Sequence, residues 1–232
     1  MENQSDRIIS NIVDIKKRAA EAAFRSGRKE SDYRIMAVTK TVVPEIVNLA
    51  IENGITLLGE NKAQELSDKY EFYKGYEDIH FIGHLQTNKV KYIINKVSMI
   101  ESVDSIKLAK EISRLAGTIN KSMDVLIEIN IGNEPNKSGV TAENSPELIK
   151  QISVLPNIKV KGLMTIPPVS LNIQRTRDDF KRLKQLLIDI RDKKIDNIDM
   201  CILSMGMSYD FEAAIEEGSN IVRIGTAMFG KR

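Results

Sequence analysis

The sequence is poor in the residues that most often announce a chemistry. It holds one cysteine, Cys201, among 232 residues. Neither a disulfide framework nor a cysteine-based zinc site can be built from that. Cys201 lies in the apolar run Met200-Cys201-Ile202-Leu203, where a buried structural thiol is the expected reading. The two histidines, His80 and His84, stand four apart, a spacing that serves zinc only on a helix. His80-Phe81-Ile82-Gly83 has the composition of a strand and turn, so no metal is expected. His80 reads as a hydrogen-bonded strand residue and His84 as a residue near a pocket. The six prolines form no linker that would divide the chain. Net charge is +2, from 34 basic and 32 acidic residues, which argues against a nucleic-acid binder and against an anionic-membrane binder. No apolar run reaches membrane-spanning length, and residues 1–6 have no signal-like apolar core. A cytoplasmic protein without a membrane partner is expected.

What the chain has is alternation. Ile8, Ile12, Ile15, Ala19 and Ala22 recur at helical spacing over residues 6–25, with Gly27 as a stop. Short apolar runs then follow at 35–39, 55–58, 79–82, 98–101, 124–130, 159–164, 200–203 and 221–224. Helical patterns fall between them, near 44–53, 61–73, 87–96, 105–120, 144–154, 174–193 and 209–217. Eight strand–helix units without a linker predict an α/β fold: one (β/α)8 barrel of the TIM type over residues 1–232, with residues 1–28 as an extra helix packed on it. An open doubly wound sheet is the alternative. Against it, Val38-Thr39-Lys40-Thr41-Val42 stands where a glycine-rich dinucleotide fingerprint belongs.

In such a barrel Lys40 closes the first strand, on the face where these folds carry chemistry. It is either a surface charge or an amine that forms an imine. Near the other end, Ser204-Met205-Gly206-Met207-Ser208 leads from a strand into a helix, a setting that suits a phosphate. Alternation along Ile221-Val222-Arg223-Ile224 turns Arg223 inward, with Glu128 as a candidate partner, and Gly225-Thr226 offers backbone N–H and a hydroxyl at the mouth. Barrels often hold phosphate after strands seven and eight. The run from Gly225 to Lys231 mimics a phosphate-binding P-loop, but the hydroxyl residue and following helix of that motif are missing from the sequence. An imine-forming lysine, a phosphate cradle and an inward arginine together point to pyridoxal 5'-phosphate. An arginine at the pyridine nitrogen donates a hydrogen bond but does not readily give a proton. That favours holding the cofactor over broad carbanion chemistry.

Seven segments carry a family resemblance: Ala37 to Thr41, Gly59-Glu60-Asn61, His80 to Lys89, Lys137-Ser138-Gly139, Gly162-Leu163-Met164, Leu203 to Ser208 and Val222 to Thr226. In this order they resemble the pyridoxal phosphate homeostasis protein family, also called YggS or PROSC. The resemblance implies a barrel similar to the N-terminal domain of alanine racemase and a Schiff base at Lys40. It also implies phosphate contacts from Ser204, Ser208, Gly225 and Thr226, and Arg223 beside the pyridine nitrogen. Asn61 and Met205 are implied to lie near the cofactor. It further implies a monomer that holds pyridoxal phosphate for vitamin B6 homeostasis, without robust catalysis, with pyridoxal-phosphate-dependent apo-enzymes as recipients. The racemase's second domain is not expected here, which fits a holding role. A one-domain racemase or lyase is the alternative function. A Schiff-base aldolase-type barrel is a third, lacking an identifiable acid–base partner.

Overall fold

The structure, a computed structural model, describes residues 4–74, 78–168, 170 and 172–230. Eight parallel strands close into a barrel in chain order, the last pairing with the first. They are β1 (Arg34–Val38), β2 (Leu58–Glu60), β3 (Ile79–Phe81), β4 (Met99–Val103), β5 (Met123–Glu128), β6 (Ile158–Met164), β7 (Ile198–Met207) and β8 (Ile221–Ile224). The helices are α1 (Gln4–Arg25), α2 (Pro44–Glu52), α3 (Ala63–Lys69), α4 (Val90–Ile93), α5 (Ile106–Thr118), α6 (Ser145–Ser153), α7 (Ile173–Arg191), α8 (Phe211–Glu216) and α9 (Thr226–Phe229). The expected barrel with an extra N-terminal helix is the observed architecture.

Local chemistry sets the helix starts. Proline opens α2 and α6 in the first turn, where its missing N–H costs nothing. The Ser105 side chain caps α5 by accepting the Leu108 N–H. Strand alternation then divides the core in two. Ala37, Leu58, Ile79, Phe81, Val222 and Ile224 face the helix layer. Met36, Val38, Leu57, Ile82 and Ile221 meet one another; they come from the neighbouring β8–β1–β2–β3 stretch and alternate with its helix-facing residues, so they fill the lumen on that side. Helix α1 buries its predicted stripe, Ile8, Ile12, Ile15, Ala19 and Ala22. It packs on α8 and α9, with Arg18 donating twice to Glu212 Oε1 at 2.9 and 2.7 Å.

Some elements depart from the sequence-based expectation. β2 occupies 58–60 rather than 55–58, because only Leu58 and Gly59 find ladder partners on β1. β7 is longer than predicted. Its register shifts against β6 between Val160 and Gly162, and against β8 between Ser204 and Met207, so residues 204–207 are strand, not loop. α4 is a single turn after a tighter turn at Thr87–Lys89. Cys201 is exposed rather than buried. Met200 and Leu203 enter the helix-facing core, and Cys201 is left at the surface, its thiol 3.7 Å from the Lys161 carbonyl. The glycine-flanked segment after β8 does hold a helix, the one-turn α9.

Candidate cofactor site

Strand register sets Lys40 between its neighbours on the C-terminal rim. Val38 pairs with Gly59 on one side and Ala37 with Ile224 on the other. Extending both ladders puts Asn61 at the level of Lys40 and the Gly225–Thr226 turn beside Val38 and Thr39, just before it. The backbone around the lysine is clamped from outside the barrel. Thr39, on the opposite face of the strand, donates its hydroxyl to Glu60 Oε1 at 2.6 Å. Tyr73 donates to the same oxygen at 2.6 Å. Lys69 donates to the Thr39 carbonyl at 3.1 Å, and the Thr41 N–H donates to Glu65. Burial pushes the Glu60 carboxyl above the ordinary range, against these two hydroxyls and Lys69. Thr41 takes a left-handed φ of 61°, unusual for a β-branched residue. Lys40 itself is exposed and has no hydrogen bond or ion pair among the described residues.

The loops after β7 and β8 meet at Ser208. Its hydroxyl accepts the N–H groups of Gly225 at 3.3 Å and Ala227 at 3.1 Å. These donors stand at the start of α9, so an anion finds convergent N–H groups and a hydroxyl here. Thr226 is exposed between them. Asp210 accepts the Met207 N–H at 2.6 Å and ties down the approach to Ser208. Burial pushes its carboxyl up despite the nearby Arg223. Gly206 lets the end of β7 pass close to α8: its φ is +92°, and a Cβ there would stand 2.4 Å from the Ala214 Cβ. On the other side of the rim, Gly83 lets the loop after β3 approach the Asn61 carbonyl, which a Cβ would meet at 2.1 Å. Asn61 and His84 share a cavity of about 270 Å³ there.

Arg223 points into the lumen and is 3% exposed. It donates to Ser204 Oγ and to the Thr165 carbonyl, both at 2.7 Å. Ser204 in turn donates to Glu101 Oε2 at 2.5 Å, and His80 Nδ1 lies 2.6 Å from Glu101 Oε1. Glu128 faces the same arginine across the lumen without a hydrogen bond to it. Burial, aided by Asp104 and opposed by Arg223, pushes its carboxyl up to about 7.

This geometry revises two expected contacts. Ser204 is fully buried and its hydroxyl is spent on Glu101 and Arg223, one layer below the rim, so it does not face the phosphate cradle. Met205 is also fully buried, in the core between barrel and helices; its side chain turns away from the mouth. The register shift in β7 accounts for both. Lys40, Ser208, Gly225 and Thr226 do gather on one rim, with Asn61 beside them and Arg223 beneath. Glu101, Thr165 and Asp210 escaped the sequence reading. Glu101 had a signal: a carboxylate ending the apolar run Met99-Ile100 on a strand buried on both faces.

The closed barrel with α1 against its last helices, and a rim built from loops one, seven and eight, define an alanine racemase-type barrel. Residues 5–232 match the domain family described as alanine racemase, N-terminal domain. The chain belongs to the pyridoxal phosphate homeostasis protein family: it is 46% identical over 216 residues to the member from Aquifex aeolicus (strain VF5), covering 93% of this chain and 94% of that one. Among solved structures it is similar to PipY of Synechococcus elongatus PCC7942 with PLP bound, at TM-score 0.77 and 27% identity, over 93% of this chain and 100% of that one. Alanine racemase from Corynebacterium glutamicum shares the fold, at TM-score 0.72 and 17% identity, over 98% of this chain and 61% of that one.

Proposed function

We propose that this chain binds pyridoxal 5'-phosphate at the C-terminal rim, covalently through Lys40, and serves pyridoxal phosphate homeostasis. The observation that carries the reading is the pairing of an unpartnered lysine with a ready anion cradle on one rim. The chemistry of the donors fits the cofactor. When bound, the cofactor supplies an aldehyde that condenses with an amine. Lys40 offers that amine on a backbone held by Glu60, Glu65 and Lys69. Ser208, Gly225, Thr226 and Ala227 offer the donors a phosphate needs. Arg223 has five N–H donors, of which two are spent on Ser204 and Thr165. It can therefore donate to a ring nitrogen while keeping its own proton. Asn61 adds a polar edge. The relative solved with PLP bound and the shared family support this assignment.

The test is an absorbance spectrum of the purified protein loaded with pyridoxal phosphate, followed by borohydride reduction and peptide mapping. A reduced adduct on Lys40 is expected. An adduct on other lysines alone, or none, would overturn the reading.

A further inference from the structure

A line of polar side chains crosses the lumen from the opposite mouth of the barrel. It starts in a cavity of about 320 Å³ lined by Arg34, Asp78, His80, Ser98, Asp124 and Asn220 among others. Asp78 pairs with Arg34 and accepts the Ser98 hydroxyl at 2.6 Å. His80 Nε2 lies 3.3 Å from Asp78 Oδ1, and its Nδ1 lies 2.6 Å from Glu101. From there the line runs through Ser204 to Arg223.

The donors and acceptors permit one direction at the upper end. Arginine only donates, so Ser204 accepts from Arg223 at 2.7 Å and sends its single proton to Glu101 at 2.5 Å. Glu101 Oε2 must therefore accept. Glu101 is completely buried, and a charge there is costly unless paired. Burial pushes its carboxyl up, but His80, Arg223 and Ser204 outweigh this and hold it below the ordinary range. Neither Glu101 nor Ser204 reaches solvent at the rim, so the Ser204–Arg223 hydrogen bond is their route to the site.

We propose that Glu101, oriented by His80 and acting through Ser204, is a positioning residue that aims Arg223 at the floor of the cofactor site and links that aim to the far mouth of the barrel. This rests on the cofactor assignment above. The groups facing His80 are Asp78, with Arg34 from β1 and Ser98 behind it, and Glu101 from β4; Asp124 from β5 shares the cavity. Burial pulls the imidazole down, yet the two carboxylates raise it to about 8. Below that pH both ring nitrogens donate; as pH rises through it, the positive charge beside Glu101 is lost.

The first experiment needs no cofactor. Guanidinium 15N–1H resonances of Arg223 are recorded in the unloaded protein, in wild type, Glu101→Gln and Ser204→Ala. Slow rotation and slow exchange in wild type, lost in the variants, are expected. The second experiment loads pyridoxal phosphate. Its dissociation constant should rise about tenfold in both variants, the loss of a hydrogen bond to a charged group. The cofactor absorbance of wild type should change with a midpoint near pH 8, a change absent from His80→Asn. A freely averaging Arg223 in wild type overturns the proposal. So do variants that keep its resonances, or match wild type in affinity and pH profile. Should Glu101→Gln fail to fold, Ser204→Ala, which removes no charge, decides. Absence of a borohydride-fixed adduct on wild-type Lys40 would sink the cofactor assignment instead, leaving the unloaded-protein experiment to judge the positioning.

Discussion

Lys40 and Arg223 are two cations of one barrel, and their surroundings are opposite. The inward residues below Lys40 are Met36 and Val38, packed with Leu57, Ile82 and Ile221. That side of the lumen is apolar and offers the lysine no counter-ion. Arg223 stands against a polar wall of Ser204, Thr165 and Glu101, with Glu128 opposite. The difference suits the two tasks. An amine that must react is best left unpaired, with its backbone fixed and its side chain free. A cation that must hold its place needs directional partners, because burying it unpaired is costly. The apolar cluster lies along β8, β1, β2 and β3, while Arg223 reaches across to partners on β4, β7 and the end of β6.

The contrast can be broken experimentally, and the largest effect should come from Lys40. Lys40→Ala should abolish the borohydride-fixed adduct. Its thermal stability should stay within about 0.5 kcal/mol of wild type, as for surface substitutions away from special contacts. A large loss of stability would mean that the lysine is structural after all. Arg223→Leu should do the reverse, since it strips buried Glu101 of one of its two cations and Ser204 of its donor. A destabilisation of about 3–5 kcal/mol in urea unfolding is expected; a loss below about 1 kcal/mol would show that the polar wall is self-sufficient.

Glu128 sharpens the comparison through pH. Its folded carboxyl titrates at about 7, above the ordinary 4.5. The folded state therefore holds that proton more tightly than the unfolded chain, and stability is lost as pH rises from the unfolded value through about 7. Glu128→Gln should raise urea stability by about 1–3 kcal/mol at pH 8 and leave it unchanged at pH 4. Equal effects at both pH values would contradict this. The smallest effect is expected from Ser208→Ala, which leaves the Gly225 and Ala227 N–H groups without their acceptor. A stability cost of about 1 kcal/mol should accompany weaker pyridoxal phosphate binding, read by equilibrium dialysis.

Much of this was legible in the sequence, for reasons specific to each residue. The inward turn of Arg223 follows from simple alternation on a strand four residues long. Lys40 is placed by the end of an apolar run. The Ser208 and Gly225 loops announce themselves by small and hydroxyl residues before helices. Ser204 and Met205 were misread because β7 slips register against both neighbours, and nothing in Ser204-Met205-Gly206-Met207 marks where a strand stops. β2 was displaced because a ladder of two residue pairs with β1 is too short to leave a period. Glu101 was invisible as a partner of Ser204 because the two lie 103 residues apart, and only closure of the barrel brings them together. Cys201 shows the limit of composition: an apolar run does not say which residue a register slip turns outward.

The seam between β1 and β8 has a consequence for assembly. Asn11 on α1 donates to the Met228 carbonyl at 3.0 Å across 217 positions, and Arg28 donates to the Ile215 and Ser219 carbonyls at 2.7 Å across 187 and 191. Contacts of such sequence separation are slow to form, since chain entropy is lost before they return any stabilisation. Until β8 arrives, the N–H and C=O groups along one edge of β1 have no ladder, and the apolar stripe of α1 has no α8 or α9 to cover it. An incomplete barrel therefore exposes a sticky edge and a sticky helix together. Closing this seam is the step at which refolding and aggregation compete, and it sits directly beneath the lysine that the finished barrel presents.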